Sequence, residues 1–193
     1  MGINVLSLFD GISCGALALE RANIEAKNYW SSEIDKYAQI VSDKNYPDII
    51  RLGDITKWRE WDIKEPVDLI LAGFPCQPYS VAGKRLGLKD SRGGNIVDCM
   101  ISVIEKYQPT NFMLENVPGL LSIDNGETFK NIAGKLNEIG FAIDWIIINS
   151  SLVSAQNRER LYIIGKRLYA CNGSEYAIDV GIKNKRSRQY SLF

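Results

Sequence analysis

Short apolar runs alternate with amphipathic segments along most of this 193-residue chain, and this alternation limits the folds that the chain can adopt. The apolar runs have the length of buried strands, and the segments between them have the apolar spacing of helices. Strands that alternate with helices build a mostly parallel, doubly wound sheet, so we predict the α/β class. The predicted strands are residues 4–9, 28–32, 49–52, 67–72 and 111–114, and the predicted helices are residues 14–21, 36–44, 96–106 and 128–139.

The last part of the chain departs from this alternation. Residues 141–149 and 160–165 both have strand-like composition, but only residues 150–159 separate them. A parallel connection needs about a dozen residues or more, so we expect these two strands to form an antiparallel pair. Periodicity is weak from Tyr169 onward, and we therefore predict one domain, residues 1–168, with an unassigned tail, residues 169–193.

The composition argues against some classes of site and leaves nucleic-acid binding open. The chain has 23 basic and 23 acidic residues, so its formal charge of zero neither supports nor excludes a nucleic-acid partner. It has no histidine and its four cysteines are far apart, so we expect neither a metal site nor a disulfide framework. No apolar stretch approaches the roughly 20 residues that cross a bilayer, and no secretory signal is recognisable. We therefore expect an intracellular, cytoplasmic protein without a membrane or metal partner.

A cysteine stands shortly after the fourth predicted strand. Cys76 lies in the run Gly73-Phe74-Pro75-Cys76-Gln77, and residues just past the carboxyl ends of strands face the ligand crevice of an open α/β sheet. This position favours a displayed nucleophile, although a small buried side chain is the commoner fate of a free cysteine. Because the chain lacks histidine, such a nucleophile needs another means of activation. Residues 77–95 contain four glycines and predict a long loop that could close over a substrate.

Polar groups also follow the first three predicted strands. The first turn, Phe9-Asp10-Gly11, has a glycine that would let a ligand approach the backbone. Glu33 could accept hydrogen bonds from ribose hydroxyls, and Asp54 could accept one from an adenine amino group. Each of these groups is otherwise a helix cap or a packing turn. With no phosphate-binding loop and no lysine in the first turn, the set fits S-adenosylmethionine, a nucleoside cofactor without phosphate.

Motifs in a fixed order make the chain resemble the cytosine-C5 methyltransferases over about residues 4–166. The motifs are Leu8-Phe9-Asp10-Gly11, Glu33, Asp54, Pro75-Cys76-Gln77, Glu115-Asn116-Val117 and Gln156-Asn157-Arg158-Glu159-Arg160. Residues 73–80 and 89–93 look like the bacterial DNA-modifying branch of that family. Each motif alone could be chance, but their order along one chain is specific.

The resemblance implies a Rossmann-like fold that binds S-adenosylmethionine and transfers its methyl group to carbon 5 of cytosine in DNA. Cys76 would add to carbon 6 of a flipped base, because carbon 5 is a poor nucleophile until the ring is converted to an enamine. Glu115, in its protonated form, would bond to N3 and the exocyclic amine. Of Arg158 and Arg160, one would hold the cytosine O2 and the other a phosphate or Glu115. The predicted catalytic residues are Cys76, Glu115, Arg158 and Arg160, and the predicted cofactor-binding residues are Phe9, Asp10, Gly11, Glu33, Ile34, Asp54, Ile55 and Pro75.

The chain departs from the family pattern at Ser7, where aspartate is common, and at Ser13, where a second glycine is common. Beyond Arg160 we recognise neither a target-recognition domain nor the two further motifs of full-length members. We therefore expect a compact or split DNA methyltransferase, in which a second subunit or second copy supplies target recognition. Two alternatives remain open, a tRNA cytosine-C5 methyltransferase and a catalytically inert binding or regulatory module derived from the family.

Overall fold

The computed structural model describes residues 2–75 and 91–168, of which residues 91–95 are described by their backbone alone. The described residues form one seven-stranded sheet with helices packed on it. The strands are β1 (Ile3–Leu8), β2 (Ala26–Ser32), β3 (Ile50–Arg51), β4 (Leu69–Gly73), β5 (Asn111–Asn116), β6 (Phe141–Asn149) and β7 (Glu159–Arg167). The helices are α1 (Cys14–Arg21), α2 (Lys36–Asn45), α3 (Ser91–Tyr107) and α4 (Glu127–Glu138), with short 3-10 turns at Ile55–Glu60, Pro118–Leu121, Ile123–Gly126 and Ser150–Leu152.

The sheet has the strand order β3-β2-β1-β4-β5-β7-β6. Strands β1 to β5 pair in parallel, whereas β7 runs antiparallel to both β5 and β6. The predicted doubly wound, mostly parallel sheet with an antiparallel final pair is therefore confirmed. Because the first five strands are parallel, their carboxyl ends meet at one edge of the sheet, where ligands of such folds bind.

Some element bounds differ from the predicted ones. Strand β4 begins at Leu69 rather than at residue 67, although Val67 is buried in the core just before it. Helix α3 begins at Ser91, five residues before the predicted start at residue 96. The glycines in that stretch predicted a loop, but glycine only weakens a helix and does not prevent one.

The larger core lies between one face of the sheet and helices α3 and α4. Leu6, Ile70 and Phe112 of the sheet pack there with Met100 and Ile132 of the helices, and all are 1% exposed or less. This packing needs a glycine in β7, because a Cβ atom at Gly165 would lie 2.0 Å from the Phe112 ring. Helices α3 and α4 lie on this face because each has an apolar stripe that packs against the sheet.

The second face of the sheet is covered unevenly. Helix α1 packs over its first part, where Leu19 joins Val5, Tyr29 and Leu71 in a smaller core. Beyond β4 the face is more open. Met113 and its strand partner Ile164 are 38% and 46% exposed, and Ile148 of β6 is 40% exposed. These strands pair antiparallel, and an antiparallel sheet can leave one face to solvent, so Met113 and Ile164 form an exposed apolar pair and Ile148 lies further along the sheet, opposite Arg160. Within the described ranges, no helix is both long and apolar enough to cross a membrane.

Candidate active site

The turn after β1 is built from left-handed residues. Phe9, Gly11 and Ser13 have φ values of 56°, 59° and 65°. Gly11 has open space around its α-carbon, with no atom within 4 Å of an added Cβ, so its backbone conformation rather than crowding favours glycine there. The Gly11 N–H donates to Glu33 Oε2 at 2.8 Å. This bond ties the first turn to the end of β2.

Glu33 is fixed by backbone amides on both of its oxygens. Besides the Gly11 contact, Oε1 accepts from the N–H groups of Ile34 and Asp35 at 2.7 and 2.8 Å. Each carboxylate oxygen can accept more than one hydrogen bond, so the side chain keeps capacity for a ligand hydroxyl. Ile34 beside it is 71% exposed and offers an apolar surface. The structure thus brings together the predicted residues Gly11, Glu33 and Ile34.

Asp54 follows β3 and begins the 3-10 turn at Ile55–Glu60. Its Oδ1 accepts from the Thr56 N–H at 2.8 Å, so it is a cap as well as a candidate ligand residue. Ile55 is only 5% exposed and belongs to the main core. Its side chain therefore packs inside the protein, and only its backbone could reach a ligand.

The Asp10 carboxylate points into the protein. Its side chain is 1% exposed and accepts hydrogen bonds from Ser13 Oγ, from the Tyr29 hydroxyl at 2.8 Å and from Ser31 Oγ at 2.9 Å. Sequence reasoning placed Asp10 among residues that touch the cofactor, whereas its carboxylate is occupied by internal donors. Ser31 could have indicated this arrangement from the sequence, because a polar residue within a buried strand needs a hydrogen-bond partner.

Glu115 stands at the end of β5, opposite Gly73 of β4 in the strand register. Its Oε1 forms an ion pair with Arg160 Nε of β7 at 2.8 Å, and a Cβ atom added to Gly73 would lie 3.5 Å from its Oε2. Pro75 follows β4 and is exposed. The structure therefore brings Glu115, Arg160 and the end of β4 together, which is one of the two arrangements that the sequence left open for the second arginine. Cys76 lies outside the described residues, as does the predicted loop up to residue 90.

Arg158 is placed differently from Arg160. It precedes β7, is exposed, and donates its backbone N–H to Asn149 Oδ1 at 3.2 Å. Among residues 2–75 and 91–168 its guanidinium forms no ion pair, so the two arginines are not equivalent. Of the pair, Arg160 is the one that contacts Glu115.

Asn116 is a site residue to which sequence reasoning gave no role. It is 1% exposed, its Nδ2 donates to the Phe74 carbonyl at 3.2 Å, and its Oδ1 accepts from the Val117 N–H at 2.8 Å. It therefore links the segment after β5 to the segment after β4. The signal was available in the Glu115-Asn116-Val117 motif, but the sequence does not say which backbone group the amide reaches.

A cavity of about 600 Å³ lies away from this edge, between α1, the start of β2 and residues 45–50. Its lining includes Leu19, Lys27 and Tyr46 but none of the predicted site residues. The carboxyl edge of the sheet, rather than this cavity, is therefore the candidate active site. In the described part of the chain, no three metal-binding side chains cluster as a metal site would require.

Comparison with known proteins agrees with this geometry. The family model described as C-5 cytosine-specific DNA methylase matches residues 3–190. The orphan methyltransferase M.Rho11sI of Bacillus phage rho11s is 37% identical over 182 residues, which are 93% of this chain and 36% of that protein. The type II methyltransferase M.HaeII of Haemophilus aegyptius is 41% identical over 161 residues, which are 83% of this chain and 49% of that protein.

A solved structure described as a DNA modification methyltransferase encoded within a prophage (E. coli) shares the fold. Its TM-score is 0.69 at 22% identity, over 86% of this chain and 47% of that one. The chain spans only 36% and 49% of the two curated relatives. Since the family model nevertheless matches the chain from residue 3 to residue 190, the protein belongs to the C-5 cytosine-specific DNA methylase family.

Proposed function

We propose that the protein transfers a methyl group from S-adenosylmethionine to carbon 5 of cytosine in DNA. The observation that carries this proposal is the Glu115–Arg160 pair beside the end of β4, directly before Pro75 and Cys76. A carboxyl group paired with a guanidinium is suited to a polar base edge, and the cysteine that follows β4 in the sequence would supply a nucleophile. Membership of the family supports the reaction type.

The residues at the ends of β1, β2 and β3 fit S-adenosylmethionine. The Glu33 carboxylate is held in place by three amides and can accept one further hydrogen bond from a ribose hydroxyl, as acidic residues do at this position of dinucleotide-binding folds. Exposed Ile34 offers a flat apolar contact for adenine, and Asp54 a hydrogen-bond acceptor. The turn has no lysine that could bind a phosphate, and S-adenosylmethionine contains no phosphate group. When bound, it supplies the methyl group.

The chain's own residues would prepare the base. The Cys76 thiolate adds to carbon 6 while the Glu115 carboxyl gives a proton to N3, so the ring becomes an enamine with a nucleophilic carbon 5. After methylation, a solvent base removes the proton from carbon 5 and the electron pair expels the Cys76 thiolate. N3 then returns its proton to the Glu115 carboxylate, which restores the neutral ring. Arg160 keeps Glu115 in place through its 2.8 Å contact, and exposed Arg158 is available to a phosphate or to the cytosine O2. The target base must be flipped out of the duplex to reach these groups.

We further propose that target recognition comes from a second subunit or a second copy, in a compact or split enzyme. The neighbouring exposed side chains of Met113 and Ile164 offer an apolar contact that another protein segment could cover. Because the substrate is DNA, we propose the cytoplasm as the location.

Covalent trapping tests this function. DNA that contains 5-fluorocytosine should form a stable adduct with the protein in the presence of S-adenosylmethionine, because fluorine at carbon 5 cannot leave as a proton does. The adduct should be visible as a shifted band on a denaturing gel, and Cys76→Ser should abolish it. The matched control is Cys99→Ser, which removes a partly exposed cysteine of α3. Binding of DNA without adduct formation would favour an inert module, and an adduct formed only with tRNA would favour the RNA alternative.

A further inference from the structure

One buried carboxylate holds the turn that begins the cofactor site. The Asp10 side chain is 1% exposed, while the Gly11 N–H next to it reaches out to Glu33. We propose that Asp10 is a positioning residue, which shapes the S-adenosylmethionine site through the turn and does not touch the cofactor with its carboxylate. This inference rests on the proposed function, because it concerns the cofactor site of that reaction.

The donors to Asp10 come from both sides of the turn. Ser13, at the start of α1, donates its hydroxyl from within the turn, and Tyr29 and Ser31 donate theirs from β2 at 2.8 and 2.9 Å. Burial, and after it the Asp10 charge, raises the pKa of Tyr29 well above its usual value, so its hydroxyl stays protonated and remains a donor. The carboxylate thus joins the β1–α1 turn to β2.

A second layer extends the network to β3 and α2. Arg51 of β3 lies 3.9 Å from the Asp10 carboxylate and donates to Ser31 Oγ at 3.0 Å. Its other nitrogens donate to Ser42 of α2 and to exposed Asp43. A buried carboxylate is costly unless it is paired and hydrogen-bonded, and here both conditions are met. The network therefore joins the strands β1, β2 and β3, whose ends carry the candidate cofactor residues.

The conformation of the turn depends on this network. Ser13 has a φ of 65°, which non-glycine residues seldom adopt, and its hydroxyl is bound to Asp10 and in contact with Ser42. Without the carboxylate, nothing in the described network would hold the Ser13 hydroxyl to the turn. The turn would then be held by two backbone bonds, from Ser13 N–H to the Asp10 carbonyl at 3.0 Å and from Asp10 N–H to the Ser32 carbonyl at 3.2 Å, and the Gly11 N–H would be directed less firmly toward Glu33 Oε2. We therefore expect damage at Asp10 to appear as misplacement of Glu33.

Asp10→Asn and Tyr29→Phe are the informative variants. The first keeps the shape of the side chain but turns an N–H₂ group toward the hydroxyl donors, and the second removes one donor and leaves Asp10 in place. Asp68→Asn is the matched control, because Asp68 accepts the Asn4 N–H at 2.8 Å at the opposite end of β1. Two quantities are measured on folded protein: the Kd for S-adenosylmethionine by calorimetry, and exchange of the Gly11 amide proton by NMR.

Asp10→Asn should weaken cofactor binding about 10- to 100-fold, by analogy with changes to groups that orient the ligands of a metal ion. It should raise the KM for S-adenosylmethionine more than it lowers kcat, and it should speed exchange at Gly11. Tyr29→Phe should do the same to a smaller degree. Asp68→Asn should lower the melting temperature and leave both the cofactor Kd and Gly11 exchange unchanged.

The proposal would be overturned if Asp10→Asn had the same Kd for S-adenosylmethionine and the same exchange rate of the Gly11 amide proton as the wild type. Loss of binding in Asp10→Asn with unchanged Gly11 exchange and with normal binding by Tyr29→Phe would also overturn it, because the carboxylate would then be a direct ligand. A wild-type protein that binds no S-adenosylmethionine would contradict the proposed function. The Gly11 exchange comparison would still decide whether Asp10 holds the turn.

Discussion

Acidic residues at the ends of neighbouring strands have different surroundings, and these surroundings separate their roles. Glu33 lies where backbone amides fix it and leave it open to a ligand. Asp10, in the turn after the adjacent strand, is enclosed by hydroxyl donors and Arg51. Glu115 is partly exposed and paired with Arg160. One type of side chain thus occurs in three settings, which suit the proposed ligand contact of Glu33, the internal anchor at Asp10 and the proposed proton donation by Glu115.

The role of Glu115 can be tested by changing its chemistry and keeping its shape. Glu115→Gln retains an acceptor toward Arg160 but cannot deliver a carboxyl proton to the base, so kcat should fall about 100- to 10,000-fold. The Kd for S-adenosylmethionine should change little, because Glu115 lies at the end of β5 rather than in the first turn. Methyl transfer under saturating substrates measures the first quantity and calorimetry the second.

Glu127→Gln is the control for this change, since Glu127 pairs with Lys130 on the surface of α4. Its kcat should match that of the wild type. If Glu115→Gln retained the wild-type kcat, a proton from Glu115 would not be part of the reaction.

Tyr29 should make stability depend on pH in the alkaline range. Burial, and after it the Asp10 charge, raises the pKa of Tyr29, so the folded protein keeps this proton where the unfolded chain, above about pH 10, loses it. The stabilisation is therefore complete below that pH and is lost as pH rises further. The stability difference between the wild type and Tyr29→Phe should shrink by about 1.4 kcal/mol per pH unit above pH 10. Urea unfolding at several pH values measures this difference in the free energy of unfolding. A difference that stayed constant above pH 10 would show that Tyr29 ionises equally in the folded and unfolded states.

Sequence reasoning at this scale located strand ends better than side-chain directions. It placed Glu33 and Glu115 at the carboxyl edge of the sheet because apolar runs ended just before them. It could not show that the Asp10 carboxylate turns inward, because that direction depends on hydroxyl groups from β2 that are distant in sequence. The contact between Asn116 and the Phe74 carbonyl was equally unpredictable, because it joins the ends of two strands that are distant in sequence.

At the scale of elements, close packing of α1 depends on a glycine. A Cβ atom at Gly15 would lie 2.8 Å from both Leu71 Cδ1 and the Tyr29 hydroxyl. Helix α1 therefore lies nearer to the sheet than an alanine at residue 15 would permit, so its first turn packs directly against Leu71 and Tyr29. The alternation of apolar runs predicted that a helix follows β1 but carried no information about this distance.

Gly15→Ala should destabilise the protein by about 1–3 kcal/mol, the usual cost of overpacking a filled site. The control is Gly134→Ala in α4, where no atom lies within 4 Å of an added Cβ. That change should stabilise the protein by about 0.4–1 kcal/mol, because it reduces the freedom of the unfolded chain. Chemical denaturation of both variants tests this contrast, and equal effects would mean that the α1 contact is not tight.

Element bounds were predictable where apolar runs were long and unbroken. The strand predicted at residues 141–149 and the helix predicted at residues 14–21 match β6 and α1 at both ends. The start of α3 was not predictable, because glycines near it favour a loop locally while its later residues Met100 and Ile104 are buried in the core. Burial of those side chains stabilises the helix as a whole, and this outweighs a local preference of about 1 kcal/mol per glycine.

At the scale of the whole molecule, one face of the sheet carries an apolar surface that the described helices do not cover. Ile164 is 46% exposed, whereas its neighbour Ile163 points to the other face and is 1% exposed. Both residues are isoleucine and they are adjacent in the sequence, so they form a matched pair. The sequence predicted the sheet but not which face would lack cover.

Ile164→Lys should change the free energy of unfolding by no more than about 0.5 kcal/mol, as expected for an exposed position. It should also lower the fluorescence of an apolar dye bound to the native protein. Ile163→Lys should prevent folding, because it places an unpaired charge in the core. If Ile164→Lys were as damaging as Ile163→Lys, the surface would be packed inside the folded chain and would not be available to another segment.

The central claim is that this chain methylates cytosine in DNA with Cys76 as the nucleophile. The most direct measurement is transfer of radiolabelled methyl from S-adenosylmethionine to unmethylated DNA, with tRNA as a parallel substrate and Cys76→Ala as control. We predict label in DNA, none in tRNA, and none with Cys76→Ala. Label in tRNA but not DNA, or equal incorporation into DNA by Cys76→Ala, would contradict the account.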